Sequence, residues 1–182
     1  MKKLLLSLAV TSSLAATSAF ANTGTINFHG KINANTCSIE VVDPNTGVVG
    51  QPINLGEASA KDFIAIGTEQ GGGAFSLRVS PGAGCDLTGK DAVITFTGRQ
   101  GGAGAGNAFY GVKVGDGNAT GIALSVKDHT NKAIPHTVPT DPYTLDPSVP
   151  TTMAFTAVYK STAAVVTAGH IASDIDLLVD IN

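Results

Sequence analysis

The sequence predicts an all-β chain folded as a β-sandwich. Segments in which apolar and polar residues alternate with period two recur along it, glycine- and proline-containing turns separate them, and no convincing amphipathic helical repeat competes. Composition agrees: of 182 residues 43% are hydrophobic, only 14% are charged and 22 are glycine, which suits packed sheet with short turns in one domain. With 11 basic against 14 acidic residues, nothing would neutralise a run of phosphates, so nucleic acid is excluded as a partner.

Residues 1–21 read as a signal peptide and not as part of the fold. Lys2 and Lys3 open it, Leu4 to Ala16 form an apolar stretch, and Ala19-Phe20-Ala21 ends it with small residues where a signal peptidase cuts. A buried N-terminal helix would explain neither the paired lysines nor the Ala-x-Ala end. Cleavage before Asn22 leaves 161 residues with a formal charge of −5 instead of −3, exported to the periplasm or beyond. In that oxidising setting Cys37 and Cys85, the only two cysteines, are expected to form a disulfide. Closing 48 residues is worth about 4 kcal/mol in the simple loop model.

The strands follow in order. Gly24, Ile26, Phe28, Gly30 and Ile32 share one parity, with Thr25, Asn27, His29, Lys31 and Asn33 on the other. A segment through Cys37, Ile39 and Val41 ends at Pro44-Asn45, and a weaker one covers Pro52 to Leu55. Phe63 to Ile66 is a short apolar piece. Phe75, Leu77 and Val79 alternate before Pro81-Gly82. Val93 to Thr97, Ala108 to Val114, Gly121 to Lys127 and Met153 to Lys160 read as further strands. Gly98 to Asn107 reads as a flexible glycine-rich loop without the context of a nucleotide-binding turn. The stretch holding Pro135, Pro139, Pro142, Pro147 and Pro150 admits only short edge strands. Ile171, Ser173, Ile175, Leu177, Val179 and Ile181 form one nearly unbroken face of the last strand. Most chain termini fray, but this one reads as a core strand.

No catalytic, cofactor or metal site is expected. His29, His129, His136 and His170 make no metal-binding spacing, and His129 and His136, near Asp128 and Asp141, read as solvated surface. Asp174, Asp176 and Asp180 share a face that paired carboxylates for acid–base work would need. Their parity is opposite to the apolar residues, so they read as a wet face. No serine sits in a nucleophile elbow, and Tyr159 reads as core or sheet edge.

The two patterned ends suggest a use for each other. A sandwich edge attracts extended segments, and a segment spanning 23–33 can pair with such an edge and place alternate side chains into pockets. Head-to-tail pairing of this kind does not close on itself and yields a fibre.

The residues that carry a family resemblance are Gly24-Thr-Ile-Asn-Phe-His-Gly30 with Ile32 and Thr36-Cys37, then Asn54-Leu55-Gly56, Phe75-Ser-Leu-Arg-Val79 leading to Cys85, and Val93-Ile-Thr-Phe-Thr-Gly98. Ala119-Thr-Gly-Ile-Ala-Leu124 with Asp128, Phe155, Tyr159-Lys160 and Val166-Thr-Ala-Gly169 complete the series before the final strand. In this order the chain resembles the chaperone-usher pilus subunits, close to the type 1 fimbrial major pilins. The resemblance implies an incomplete immunoglobulin-like β-sandwich that lacks its final strand, with a donor-strand extension at 22–33 and the pilin domain at 34–182. It implies a structural subunit of a surface fimbria, reached by export through the periplasm and supporting adhesion. The implied partners are a periplasmic chaperone, an outer-membrane usher, neighbouring copies of the chain in a helical fibre and a separate tip adhesin. By position Ile26, Phe28, Gly30 and Ile32 resemble the donor residues, Gly30 being the small one at the groove floor. Ile175, Leu177, Val179 and Ile181 would line the acceptor groove and contact the chaperone, and Cys37–Cys85 would be the family disulfide. The alternative from another class is a secreted monomeric β-sandwich that binds carbohydrate.

Overall fold

The last strand shows how this sequence builds sheet. Its side chains from Ile171 to Val179 alternate between buried and half-buried without interruption, as a strand covered on one face must. The computed structural model describes residues 22–30, 37–50 and 52–182. The signal segment expected over 1–21 and the donor position Ile32 lie outside them.

Among the described residues twelve strands form two sheets. The first sheet contains β1 (Asn22–Gly30), β3 (Ile53–Ala58), β5 (Asp91–Gly98), β10 (Tyr143–Thr144) and β12 (Ile171–Ile181), in the order β10-β5-β12-β1-β3. The second contains β2 (Ser38–Val42), β4 (Glu69–Ser80), β6 (Gly102–Ala103), β7 (Phe109–Tyr110), β8 (Ile122–Asp128) and β11 (Thr151–Ser161), in the order β2-β4-β11-β8-β7-β6. The short β9 (Ala133–Ile134) pairs with β8 off that path. The two short strands β9 and β10 are the edge pieces that the proline-rich stretch permits.

Between the sheets the aromatic rings meet. Phe75 of β4 stacks on Phe155 of β11 at 5.4 Å, and Phe96 of β5 meets Phe155 edge-on at 5.3 Å. The solvent side of the second sheet is tied by cross-strand ion pairs. Arg78 holds Glu40 at 2.6 Å, and Glu69 receives Lys127 at 2.6 Å and Lys160 at 2.9 Å.

Three sequence expectations need correction. Ala108 to Val114 is not one strand: only Phe109–Tyr110 pairs. At Gly111 the chain packs on the Gln100 carbonyl and donates to Gly101 O at 2.9 Å, and Lys113 then donates its N–H to Ala172 of the other sheet at 2.8 Å. The Gly98–Asn107 stretch is not structureless, because Gly102–Ala103 pairs with Phe109–Tyr110. His129 is exposed as expected, but His136 is half-buried edge-on against Tyr110 at 5.7 Å. The Tyr110 hydroxyl donates to Ile134 O at 3.1 Å, and burial raises its pKa.

Cys37 and Cys85 form a disulfide and are both buried. Replacing both with alanine is expected to lower stability by about 2–5 kcal/mol, as read by urea unfolding of oxidised wild type beside the variant.

Candidate functional site

The site is the slot between β12 and β3, and β1 fills it. β1 runs parallel to β12 from Gly24 opposite Ile171 to Gly30 opposite Leu177, and antiparallel to β3 from Asn22 opposite Ala58 to Ile26 opposite Ile53. Its pairing with β12 is parallel, whereas β12–β5, β5–β10 and β1–β3 are antiparallel.

The alternating face of β1 points inward. Ile26 is fully buried, and the Phe28 ring lies 4.5 Å from Phe75 and 6.4 Å from Phe96. One ring of the core cluster thus comes from the strand that fills the slot. Gly30 pairs with Leu177 through the backbone. On the facing strand Ile175 and Leu177 are buried opposite Phe28 and Gly30, while Val179 and Ile181 lie beyond the described end of β1.

A close approach that the sequence reading left unassigned occurs at Gly24. A Cβ there would fall within 2.7 Å of the Tyr159 ring carbons Cε1 and Cζ. Tyr159 is pinned beneath by donating its hydroxyl to Gly56 O at 2.8 Å, and burial pushes its pKa up to about 12. Gly71 packs on the other edge of the same ring, with a Cβ position 2.8 Å from Cε2. Only a residue without a side chain lets β1 lie over that ring.

The outward face of the slot corrects the expectation of a merely wet surface. Asp174 of β12 is only 16% exposed. It receives Lys113 Nζ at 2.8 Å, Asn27 Nδ2 at 2.9 Å and Gln100 Nε2 at 3.3 Å, with His29 Nε2 at 3.8 Å. Lys113 foremost, then Asn27, holds its carboxyl down to about 2 against the opposing effect of burial. Asp176 is half exposed and is held by Arg99 through Nε at 2.9 Å and Nη2 at 2.8 Å. Among the described residues no three His, Cys, Asp or Glu side chains gather as a metal site.

The sequence profile described as Fimbrial protein matches residues 26–182. The chain belongs to the fimbrial protein family. Among its relatives, the probable major fimbrial subunit LpfA of Escherichia coli O157:H7 is 28% identical, over 97% of this chain and 94% of that one. Two solved structures share the fold. The P pilus rod subunit PapA superposes with a TM-score of 0.58 at 21% identity, covering 80% of this chain and 99% of that one. A chain from the structure of a chaperone–usher pilus superposes with a TM-score of 0.61 at 16% identity, covering each chain fully. The fold is the immunoglobulin-like sandwich of these pilins, and fimbrial proteins are structural proteins.

Two outcomes test the geometry of this fimbrial slot. Gly24→Val should drive a side chain into the Tyr159 ring, costing about 1–3 kcal/mol, and limited proteolysis should show faster cleavage within residues 22–30. Asp174 is held below its unfolded value, so its contribution is whole above about pH 4 and is lost as pH falls through about 2. Asp174→Asn should therefore flatten the fall in urea stability across that window.

Proposed function

We propose that this fimbrial protein is a polymerising subunit of a surface fimbria, joined head-to-tail by donor-strand exchange. Residues 22–33 act as the donor, with Ile26, Phe28, Gly30 and Ile32 entering the groove of the next copy. Residues 34–182 form the acceptor domain, where Ile175, Leu177, Val179 and Ile181 line the groove. After cleavage of residues 1–21 the chain passes through the periplasm, where a chaperone occupies the groove. An outer-membrane usher then exchanges the chaperone for the next subunit's extension. The helical fibre on the cell surface carries a separate tip adhesin and supports adhesion.

The observation that carries this reading is the place of Phe28. A strand near the start of the chain supplies one ring to a cluster whose other members, Phe75, Phe96 and Phe155, come from β4, β5 and β11. Both flanks of the slot have anchors independent of β1. β12 pairs with β5 over seven residue pairs, and β3 lies against β4 where Gly73 meets Asn54. A strand of the same alternation from another copy therefore fits the same slot.

Direction favours the exchange. Parallel pairing is slightly less stable per residue than antiparallel, and β1 meets β12 parallel within its own chain. A strand donated by a neighbour is free to run antiparallel to β12, the longer of its two ladders, and takes the parallel direction only against the shorter ladder with β3. Family membership favours the fibre over a monomeric carbohydrate binder.

The test compares unboiled and boiled denaturing gels of surface-sheared material from cells producing wild type, Phe28→Asp or Gly30→Arg, with export and amount matched. Wild type is expected to give a ladder that boiling collapses to one band, and both variants should lose it. A single monomer band from unboiled, oxidised wild type would sink the assembly reading.

A further inference from the structure

We infer that Asp174 reads the solvent-facing side of whichever strand occupies the slot, accepting a hydrogen-bond donor there and rejecting an acid. The inference rests on the strand-addition reading above, and concerns the face of the donor that does not enter the core.

The two carboxylate oxygens of Asp174 have separate duties. Oδ2 is taken by the scaffold, with Lys113 Nζ at 2.8 Å and Gln100 Nε2 at 3.3 Å. Oδ1 faces the inserted strand, with Asn27 Nδ2 at 2.9 Å and His29 Nε2 at 3.8 Å. The scaffold side is set without β1. Gln100 Oε1 accepts the Asp174 backbone N–H at 2.9 Å and the Ser173 hydroxyl at 3.4 Å, and the Lys113 N–H donates to Ala172 O at 2.8 Å. The carboxylate is thus aimed into the slot before any strand arrives, and such preorganisation turns a contact into selectivity.

The neighbouring acid does not compete for this duty. Asp176 lies opposite His29 in register, but Arg99 engages both its oxygens at 2.8 to 3.1 Å. Oδ1 of Asp174 is the carboxylate oxygen turned to the strand's outer face.

The donor's outer face matches. Thr25, Asn27, His29, Lys31 and Asn33 all carry a hydrogen-bond donor, and none is an acid. Because the side-chain period is two, a register shift of two residues still presents a donor to Asp174. Reversing the strand while keeping its apolar face inward presents a member of the same set. An aspartate or glutamate at whichever of these positions faces Asp174 would set like charges against each other in a part-buried site, where screening is weaker than in water. The apolar face decides whether a strand enters, and the polar face decides which strands of that pattern stay.

A charge swap tests this, because an asparagine at 174 can keep its oxygen toward Lys113 and Gln100 and turn its amide toward an aspartate at 27. Unfolding rates in urea are measured on purified monomer of wild type, Asn27→Asp, Asp174→Asn and Asn27→Asp/Asp174→Asn. Asn27→Asp is expected to unfold roughly fivefold to tenfold faster than wild type, and the double variant should return to within about twofold. If Asn27→Asp does not fold, recovery of folding in the double variant carries the same support. A wild-type rate for Asn27→Asp, or a double variant no better than Asn27→Asp, would overturn the inference. The same four chains are run as unboiled gels. No wild-type ladder with the swap rescue intact would overturn the assembly reading alone, whereas a wild-type ladder without rescue would overturn the role of Asp174 alone.

Discussion

The fold depends on one requirement: something must lie between β12 and β3. β12 pairs on its other edge with β5, so its free edge carries a row of backbone donors and acceptors that needs a partner. The inner side chains beside that edge, Ile171, Ile175 and Leu177, are buried together with Phe75 and Phe96. A vacant slot would expose both the polar row and the apolar floor. Each type of demand is met by the same short strand, its backbone by pairing and its side chains by Ile26 and Phe28. The cost of vacancy, more than any single contact, holds β1 in the slot.

What the residues disclosed in advance follows from this geometry. Period-two patterning exposes a strand's two faces directly, so Ile26 and Phe28 and the run from Ile171 to Val179 were legible as buried sides. The order of the strands in the sheet was not. Nothing local says that β1 meets β12 parallel, because direction is decided by how the chain returns and not by side-chain parity. The Gly24–Tyr159 approach was hidden for a similar reason: 135 residues separate the two, and a glycine in an alternating run first reads as a weakness. Asp174 was read as wet because it shares parity with solvent-facing neighbours. Its partners Lys113 and Gln100 reach it from a loop and a turn whose approach only the tertiary fold defines. Ala108 to Val114 carried a strand-like composition, yet Gly111 redirects the chain toward the other sheet after two paired residues.

The two faces of β1 divide the work. Inward, apolar volume is non-directional and tolerates substitution of similar size. Outward, Asn27 meets Asp174 through one hydrogen bond of defined geometry, which is weak but particular. Burial supplies most of the attraction and the polar seam supplies discrimination. The Tyr159 ring adds a steric limit on the inward face at Gly24, so three kinds of contact constrain the strand on its two faces.

The disulfide acquires a mechanical meaning from its position. Cys37 stands seven residues after Gly30 and directly before β2, and its bond to Cys85 crosses to the segment between β4 and β5. In the proposed fibre under tension, pull on residues 22–30 seated in a neighbour would travel along the chain and arrive at Cys37. There the covalent bond would divert the load into the body of the domain before it could peel β2 from β4. Tension along the fibre would thus be borne by a sulfur–sulfur bond and by the seated strand, and the sandwich between them need not unravel to transmit it.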